Sequence, residues 1–165
     1  MIILGIDPGI AIVGFGVIEK TRTGECKVLD YGVITTHKDT RTPVRLQQVY
    51  AGVMQLIDKY KPDAIALEEL FFNNNVTTAI TVAQARGVLL IASANYTDNL
   101  FEYTPLQIKQ ALTGNGRAEK KQVQYMVKAI LNLNSIPKPD DAADALAVAL
   151  THAQTNTFLS QTHIR

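Results

Sequence analysis

The sequence predicts an α/β fold in which a mixed β-sheet is flanked by helices. Three observations predict it. Up to Thr36 the chain carries β-rich runs joined by short turn signals. From Thr42 the apolar residues recur at helical spacing. Between the helical segments stand short apolar runs, Ala64 to Leu67 and Phe101 to Tyr103, of strand length. The 165 residues are 47% hydrophobic, enough for one sizeable core. Residues 1–154 read as a single domain and 155–165 as a polar tail, expected to be loose.

The elements follow in order. Ile2 to Asp7 is a short β-rich run, closed by the turn signal Pro8-Gly9. Ala11 to Glu19 reads as a second strand. Its glycines, Gly14 and Gly16, leave one face bare, which marks the close approach of a backbone or a ligand. Cys26 to Thr36 is a third strand, and the short connections predict an antiparallel meander. Thr42-Pro43 reads as an N-cap and helix-starting proline. Val44, Leu46, Val49, Val53, Met54 and Ile57 then give an amphipathic helix to about Tyr60, ended by Lys61-Pro62-Asp63. A short strand from Ala64 ends at Glu68. Asn75 to about Ala94 reads as a second long helix, interrupted in pattern by Gly87. After the strand at Phe101, helices are expected over Pro105–Leu112, Glu119–Leu131 and Asp140–Gln154.

Charge and cysteine content exclude several classes. The net charge of +1 favours neither a polyanion nor a membrane surface as a whole-molecule partner, so electrostatic recognition must be local. A single cysteine, Cys26, forms no intrachain disulfide, and no Cys/His metal cluster is present. No signal peptide is visible, and the apolar stretch from Gly87 is too short to span a bilayer. A cytoplasmic protein without membrane contact is expected, and the triplets Asn75-Val76-Thr77 and Asn95-Tyr96-Thr97 are chance glycosylation matches.

Four acids stand where acids are normally excluded. Asp7 ends Ile-Ile-Leu-Gly-Ile-Asp, and Glu68 ends Ala-Ile-Ala-Leu-Glu. Asp144 sits in a helical run whose other residues are apolar or small, and Asp141, three residues earlier, shares its face. Burying an unpaired carboxylate is strongly unfavourable. If the strands carrying Asp7 and Glu68 run parallel and adjacent, their carboxylates lie side by side, where one must be protonated or a cation must join them. Singly, Asp7 and Glu68 also read as turn openers, and Asp140 and Asp141 as helix caps in the positive field of a first turn. Together, four oxygen donors without Cys or His suit a hard cation, Mg²⁺ or Mn²⁺. Such shared-carboxylate sites keep water and substrate phosphate as further ligands and are typical of phosphoryl transfer.

Two further stretches bear on substrate. Between Gln107 and Lys128 stand Lys109, Arg117, Lys120, Lys121 and Lys128 against one acid, Glu119, a local excess of four positive charges. A Gly114-Asn115-Gly116 loop feeding a helix start with lysines just inside suits contact with a phosphate backbone, or else a solvated helix face. Phe71 and Phe72 precede three asparagines directly after Glu68 and Glu69. Phe71 is assigned to stacking on an unpaired base and Phe72 to packing. His37 and His152 are isolated and read as solvated or structural.

Taken together, "ILGIDPG", "RLQQVYAGV", "QARGV", "FEYTP", "IKQALTGNGRAEKKQVQ" and "DDAADALAVALTH" resemble, in order and spacing, the RuvC family of Holliday junction resolvases over almost the whole chain. The resemblance implies an RNase H-like fold with a five-stranded mixed sheet, a homodimer, Mg²⁺ dependence and symmetric paired incisions in a four-way DNA junction. It maps the metal-binding acids onto Asp7, Glu68, Asp141 and Asp144, with the Asp-x-x-Asp spacing favouring Asp141 over Asp140. It maps the junction-contacting aromatic onto Phe71 and the important basic residues onto Lys109 and Lys120. Arg117 and Lys121 extend that basic group. The family also works with the RuvAB branch-migration complex, and its products, a 5′-phosphate and a 3′-hydroxyl, fit direct hydrolysis with two ions and no role for Cys26. The segment after His152 does not match the family well. The helices Thr42–Tyr60 and Asn75–Ala94 are the candidate dimer surfaces, the more apolar second one preferred.

Three alternatives belong to other classes. A sugar-kinase-like or acetate-kinase-like ATPase shares the opening strand, acid and glycines but needs a second nucleotide-binding half, for which this chain is too short. A catalytically silent junction-binding module has no need of four acids. An RNA·DNA-hybrid nuclease of the same fold is the nearest enzymatic competitor.

Overall fold

The computed structural model describes residues 1–70, 76–155 and 163–164. The expected elements are present, in the expected order: β1 (Ile2–Asp7), β2 (Ile12–Lys20), β3 (Cys26–Thr35), α1 (Thr42–Tyr60), β4 (Ala64–Glu68), α2 (Val76–Ala94), β5 (Leu100–Tyr103), α3 (Pro105–Thr113), α4 (Lys120–Ile130) and α5 (Asp140–Gln154). The sheet order is β3-β2-β1-β4-β5. β1, β2 and β3 form the antiparallel meander, while β4 runs parallel to β1 and β5 parallel to β4.

Two local expectations need correction. Thr42 is not the cap of α1 but its first residue. The amides of Val44 and Arg45 both donate to the carbonyl of Arg41, which makes Arg41 the N-cap, without a side-chain bond. Pro43 still sits in the first turn, where its missing N–H leaves no bond unmade. Within the stretch expected to be loose, residues 163–164 are tied to the sheet: His163 forms an antiparallel bridge with Phe101, and the Ile164 amide donates to the Leu100 carbonyl at 2.9 Å. The long helix expected across Gly87 is present, α2 running through it.

Period-two alternation sorts the strand residues onto two layers. Leu4, Ile6, Val13, Val17, Ile65 and Leu67 pack with Val49, Val53 and Ile57 of α1 and Leu89 and Ala92 of α2. Ile3, Ile18 and Ala66 pack on the other side with Leu146 and Leu150 of α5 and Val127 of α4. Gly5, Gly14 and Gly16 stand on this second face, and they make it smooth. A Cβ on Gly5 would lie 2.2 Å from the Ala145 carbonyl oxygen, one on Gly14 2.1 Å from that of Asp141, and one on Gly16 2.8 Å from the Leu146 amide nitrogen. The bare face expected at Gly14 and Gly16 therefore receives the backbone of α5, whose alanines Ala142, Ala145 and Ala149 are fully buried. Small residues on both partners let a helix lie directly on a sheet, and that contact brings the first turns of α5 to the ends of β1 and β4.

Helices α3 and α4 close the layer. The Thr104 hydroxyl accepts from the Gln107 amide at 3.1 Å, and Gln107 Oε1 accepts from the Thr104 amide at 2.8 Å, a reciprocal cap that starts α3. Gly114 ends α3 with φ 73°, a left-handed conformation that glycine adopts without strain. The Glu119 amide donates to Gln122 Oε1 at 2.8 Å at the start of α4.

Candidate active site

Asp7 is the last residue of β1 and shares the parity of Ile3 and Gly5, so it faces α5. Glu68 is the last residue of β4 and shares the parity of Ala66. The parallel register runs Gly5 with Ala66 and Ile6 with Leu67, so Asp7 and Glu68 occupy the next step at the carboxyl edge of the sheet. The adjacency on which their pairing depended is thus realised. Such an edge is where α/β proteins gather ligands, because the strands end there and their loops diverge.

The α5 helix delivers the other two acids. Asp141 lies in its first turn, its carbonyl seated over Gly14, opposite Asp7 in the β1–β2 register. Asp144 follows three residues later, and Lys120 Nζ at the start of α4 donates to its Oδ2 at 2.7 Å. The same ammonium stands 3.9 Å from Asp140 Oδ2, and Lys138 Nζ donates to Asp140 Oδ1 at 2.8 Å. Tyr103, the last residue of β5 and the register partner of Glu68, backs the site and shares a hydrogen bond of 2.8 Å with Nδ1 of His152.

These carboxylates feel one another. Burial first, then the charges of Glu68, Asp144 and Asp141, push the Asp7 carboxyl up to about 8 despite the opposing charge of Lys120. Burial, followed by the charge of Asp144, pushes Glu68 up to about 7 against the pull of Lys120 and Lys109. Burial likewise raises Asp144, although its bond to Lys120 opposes the shift. Acids forced together in a half-buried place hold protons at neutral pH or share a cation.

The donor set fits a divalent metal. All four are carboxylates, the choice for a hard cation; burial, and after it mutual repulsion, raises Asp7 and Glu68, and a dication would offset both. Among the described residues, no three His, Cys, Asp or Glu side chains stand in a ready-made ligand shell. The Lys120 ammonium stands on the Asp144 oxygen and supplies positive charge there.

Beside the acids is a cleft of about 270 Å³, lined by Glu68, Asp144, Lys109 and Lys120 over a floor of Pro105, Ile108, Val123 and Ala147. It brings together two of the expected acids and two of the expected lysines. Arg117 and Lys121 are exposed and do not line it, because Lys121 is one residue around α4 from Lys120 and faces solvent. The aromatic assigned to the junction, Phe71, and its neighbour Phe72 lie outside the described residues. His37 is exposed beside Asp39. His152 is buried between Tyr103 and Phe101, and burial pulls its imidazole down to about 4. Asp140, which the sequence reading set aside in favour of Asp141, meets two lysines, one from α4 and one from the segment before α5, and no spacing rule links them.

Comparison with known proteins shows the family. The family model described as "Crossover junction endodeoxyribonuclease RuvC" matches residues 3–152. A crossover junction endodeoxyribonuclease RuvC of Alkaliphilus metalliredigens is 57% identical over 160 residues, covering 97% of each chain. The solved structure of Thermus thermophilus RuvC superposes with a TM-score of 0.87 at 38% identity, covering 93% of this chain and 94% of that one. The T. thermophilus protein in complex with a Holliday junction substrate superposes with a TM-score of 0.85 at 35% identity, covering the same shares. The chain belongs to the RuvC family of crossover junction endodeoxyribonucleases, and its fold is the RNase H-like fold of those resolvases.

Proposed function

We propose that this chain resolves four-way DNA junctions in recombination and repair by symmetric paired incisions, and that Asp7, Glu68, Asp141 and Asp144 carry the chemistry. The observation that supports it most is the meeting of Asp7 and Glu68 on adjacent parallel strand ends beneath the two acids of α5. The family's nucleases depend on a metal, and the all-carboxylate donor set suits Mg²⁺, two ions per site, with Mn²⁺ able to substitute. When bound, such ions acidify water and neutralise charge developing on phosphate oxygens.

The chain's own residues do the rest. Asp7 and Glu68 give up the protons that burial and crowding make them hold. Lys109 and Lys120, at the rim of the cleft, offer ammonium groups to non-bridging phosphate oxygens and fix the backbone over the acids. Arg117 and Lys121, outside the cleft, take phosphates further along an arm, and Phe71 contacts the junction. No protein nucleophile is involved, and Cys26, on β3, has no part.

The enzyme acts as a homodimer whose two-fold axis sets two sites on equivalent strands. Its surface is the outward stripe of α2, where Ile80 and Ile91 are 59% and 54% exposed and Gln84, Gly87 and Ala94 continue the row at helical spacing. It works with the RuvAB branch-migration complex in the cytoplasm. Among the described residues no helix is long and apolar enough to cross a membrane. One gel comparing a four-way junction, a linear duplex and an RNA·DNA hybrid with Mg²⁺ tests the reading. Paired nicks in the junction alone are expected, and preferential cutting of the hybrid contradicts it.

A further inference from the structure

Lys120 stands between two carboxylates one helical turn apart on α5. Its ammonium donates to Asp144 Oδ2 at 2.7 Å and lies 3.9 Å from Asp140 Oδ2. Asp140 is held from the other side by Lys138, whose Nζ donates to Oδ1 at 2.8 Å. An Asp144 oxygen that ligates a divalent cation cannot keep this ammonium at bonding distance, since like charges repel steeply so close together. Lys120 must leave Asp144, and the other carboxylate within 4 Å of it among the described residues is Asp140, which is twice as exposed, at 46% against 23%.

We propose that Asp140 is a positioning residue, a second berth that receives Lys120 when a divalent cation takes Asp144. It keeps the lysine's charge at the edge of the cleft, where a phosphate can use it, instead of releasing it to solvent. The inference rests on the metal reading of the site. Lys138 bears on it with a definite sign, because it competes with Lys120 for Asp140.

The test is Mn²⁺ binding to the full chain without DNA, read by electron paramagnetic resonance and by calorimetry. Lys120→Met removes the competing cation and is expected to tighten binding by up to about fivefold, the effect of losing one half-exposed ion pair. Asp140→Asn leaves Lys120 with Asp144 alone and is expected to weaken binding. Lys138→Met frees Asp140 and is expected to tighten it. In the Lys120→Met/Asp140→Asn double variant the Asp140 effect disappears, because the lysine it acts through is gone.

An Asp140→Asn chain that binds Mn²⁺ as tightly as the parent overturns the proposal. So does weakening that persists in the double variant, which instead makes Asp140 a direct ligand. Should the parent chain bind no Mn²⁺ at millimolar concentration, the metal reading falls as well. Binding by the parent with the wrong signs in the variants removes only the role given to Asp140.

Discussion

The carbonyl oxygen of Asp141 stands 2.1 Å from the point where a Cβ on Gly14 would lie. A backbone atom that close has no way to yield, so the contact between β2 and the first turn of α5 exists only because residue 14 lacks a side chain. The same contact carries Asp141 to the end of β1.

Gly14→Ala is therefore expected to push the start of α5 off the sheet. Overpacking of this kind costs about 2 kcal/mol or more, a fall of roughly 5 °C in melting temperature for a chain of this size. Cleavage is expected to fall further than stability, since the displaced turn carries Asp141 and leads directly into Asp144. Thermal melting and junction cleavage on the same sample check it, and an unchanged melting temperature counts against the packing described.

Asp7→Asn is expected to abolish cleavage, leave junction binding in place and raise the melting temperature in the presence of a chelator. The carboxyl of Asp7 is pushed up to about 8 by burial and by three neighbouring acids, so its charge opposes the metal-free fold. Loss of junction binding by a folded variant speaks against a purely chemical role for this acid.

The pH dependence has a definite sign. Asp7 and Glu68 titrate near 8 and 7 in the folded chain, against 3.8 and 4.5 ordinarily. Between those values the folded state holds protons that the unfolded state has released, so metal-free stability rises as pH falls through 8 and 7. His152 acts the other way at lower pH: its folded value of about 4, against 6.5, withdraws stability as pH falls below 6.5. A chelated sample is expected to melt higher at pH 7 than at pH 9, and Asp7→Asn to show a smaller difference. Metal-free melting that is highest at pH 9 contradicts the crowding of the acids.

The two lysine positions on the cleft and the two cations beyond it are expected to separate. Lys109→Ala removes a charge from the cleft beside Glu68 and is expected to slow cutting of bound junction. Lys121→Ala removes an exposed contact and is expected only to lower the slope of log affinity against log salt by about one. Equal loss of cutting rate from both variants contradicts the placement.

Much of this site was legible in the sequence, but in pieces. Asp7 and Glu68 stood out because each closes an apolar run, and the RuvC-like motifs assigned them a role. Their adjacency depended on β4 lying parallel to β1, a property of backbone register that side-chain pattern does not encode. Gly14 and Gly16 announced a close approach without saying what approaches, because the other half of that contact is the Asp141 carbonyl and the Leu146 backbone. Lys120 was expected to meet phosphate, and it is found on Asp144. Partners 24 positions apart come together only through packing of α4 on α5, so Asp140, the lysine's second neighbour, gave no signal beyond its charge.

The central claim, that these carboxylates cut DNA through a divalent cation, is tested most directly by titrating Mg²⁺ into a chelated mixture of the chain and a labelled four-way junction. The account requires that paired symmetric nicks are absent with chelator, appear with Mg²⁺, and stay absent at every Mg²⁺ concentration for Asp7→Asn. Junction nicking of equal rate with and without chelator contradicts it.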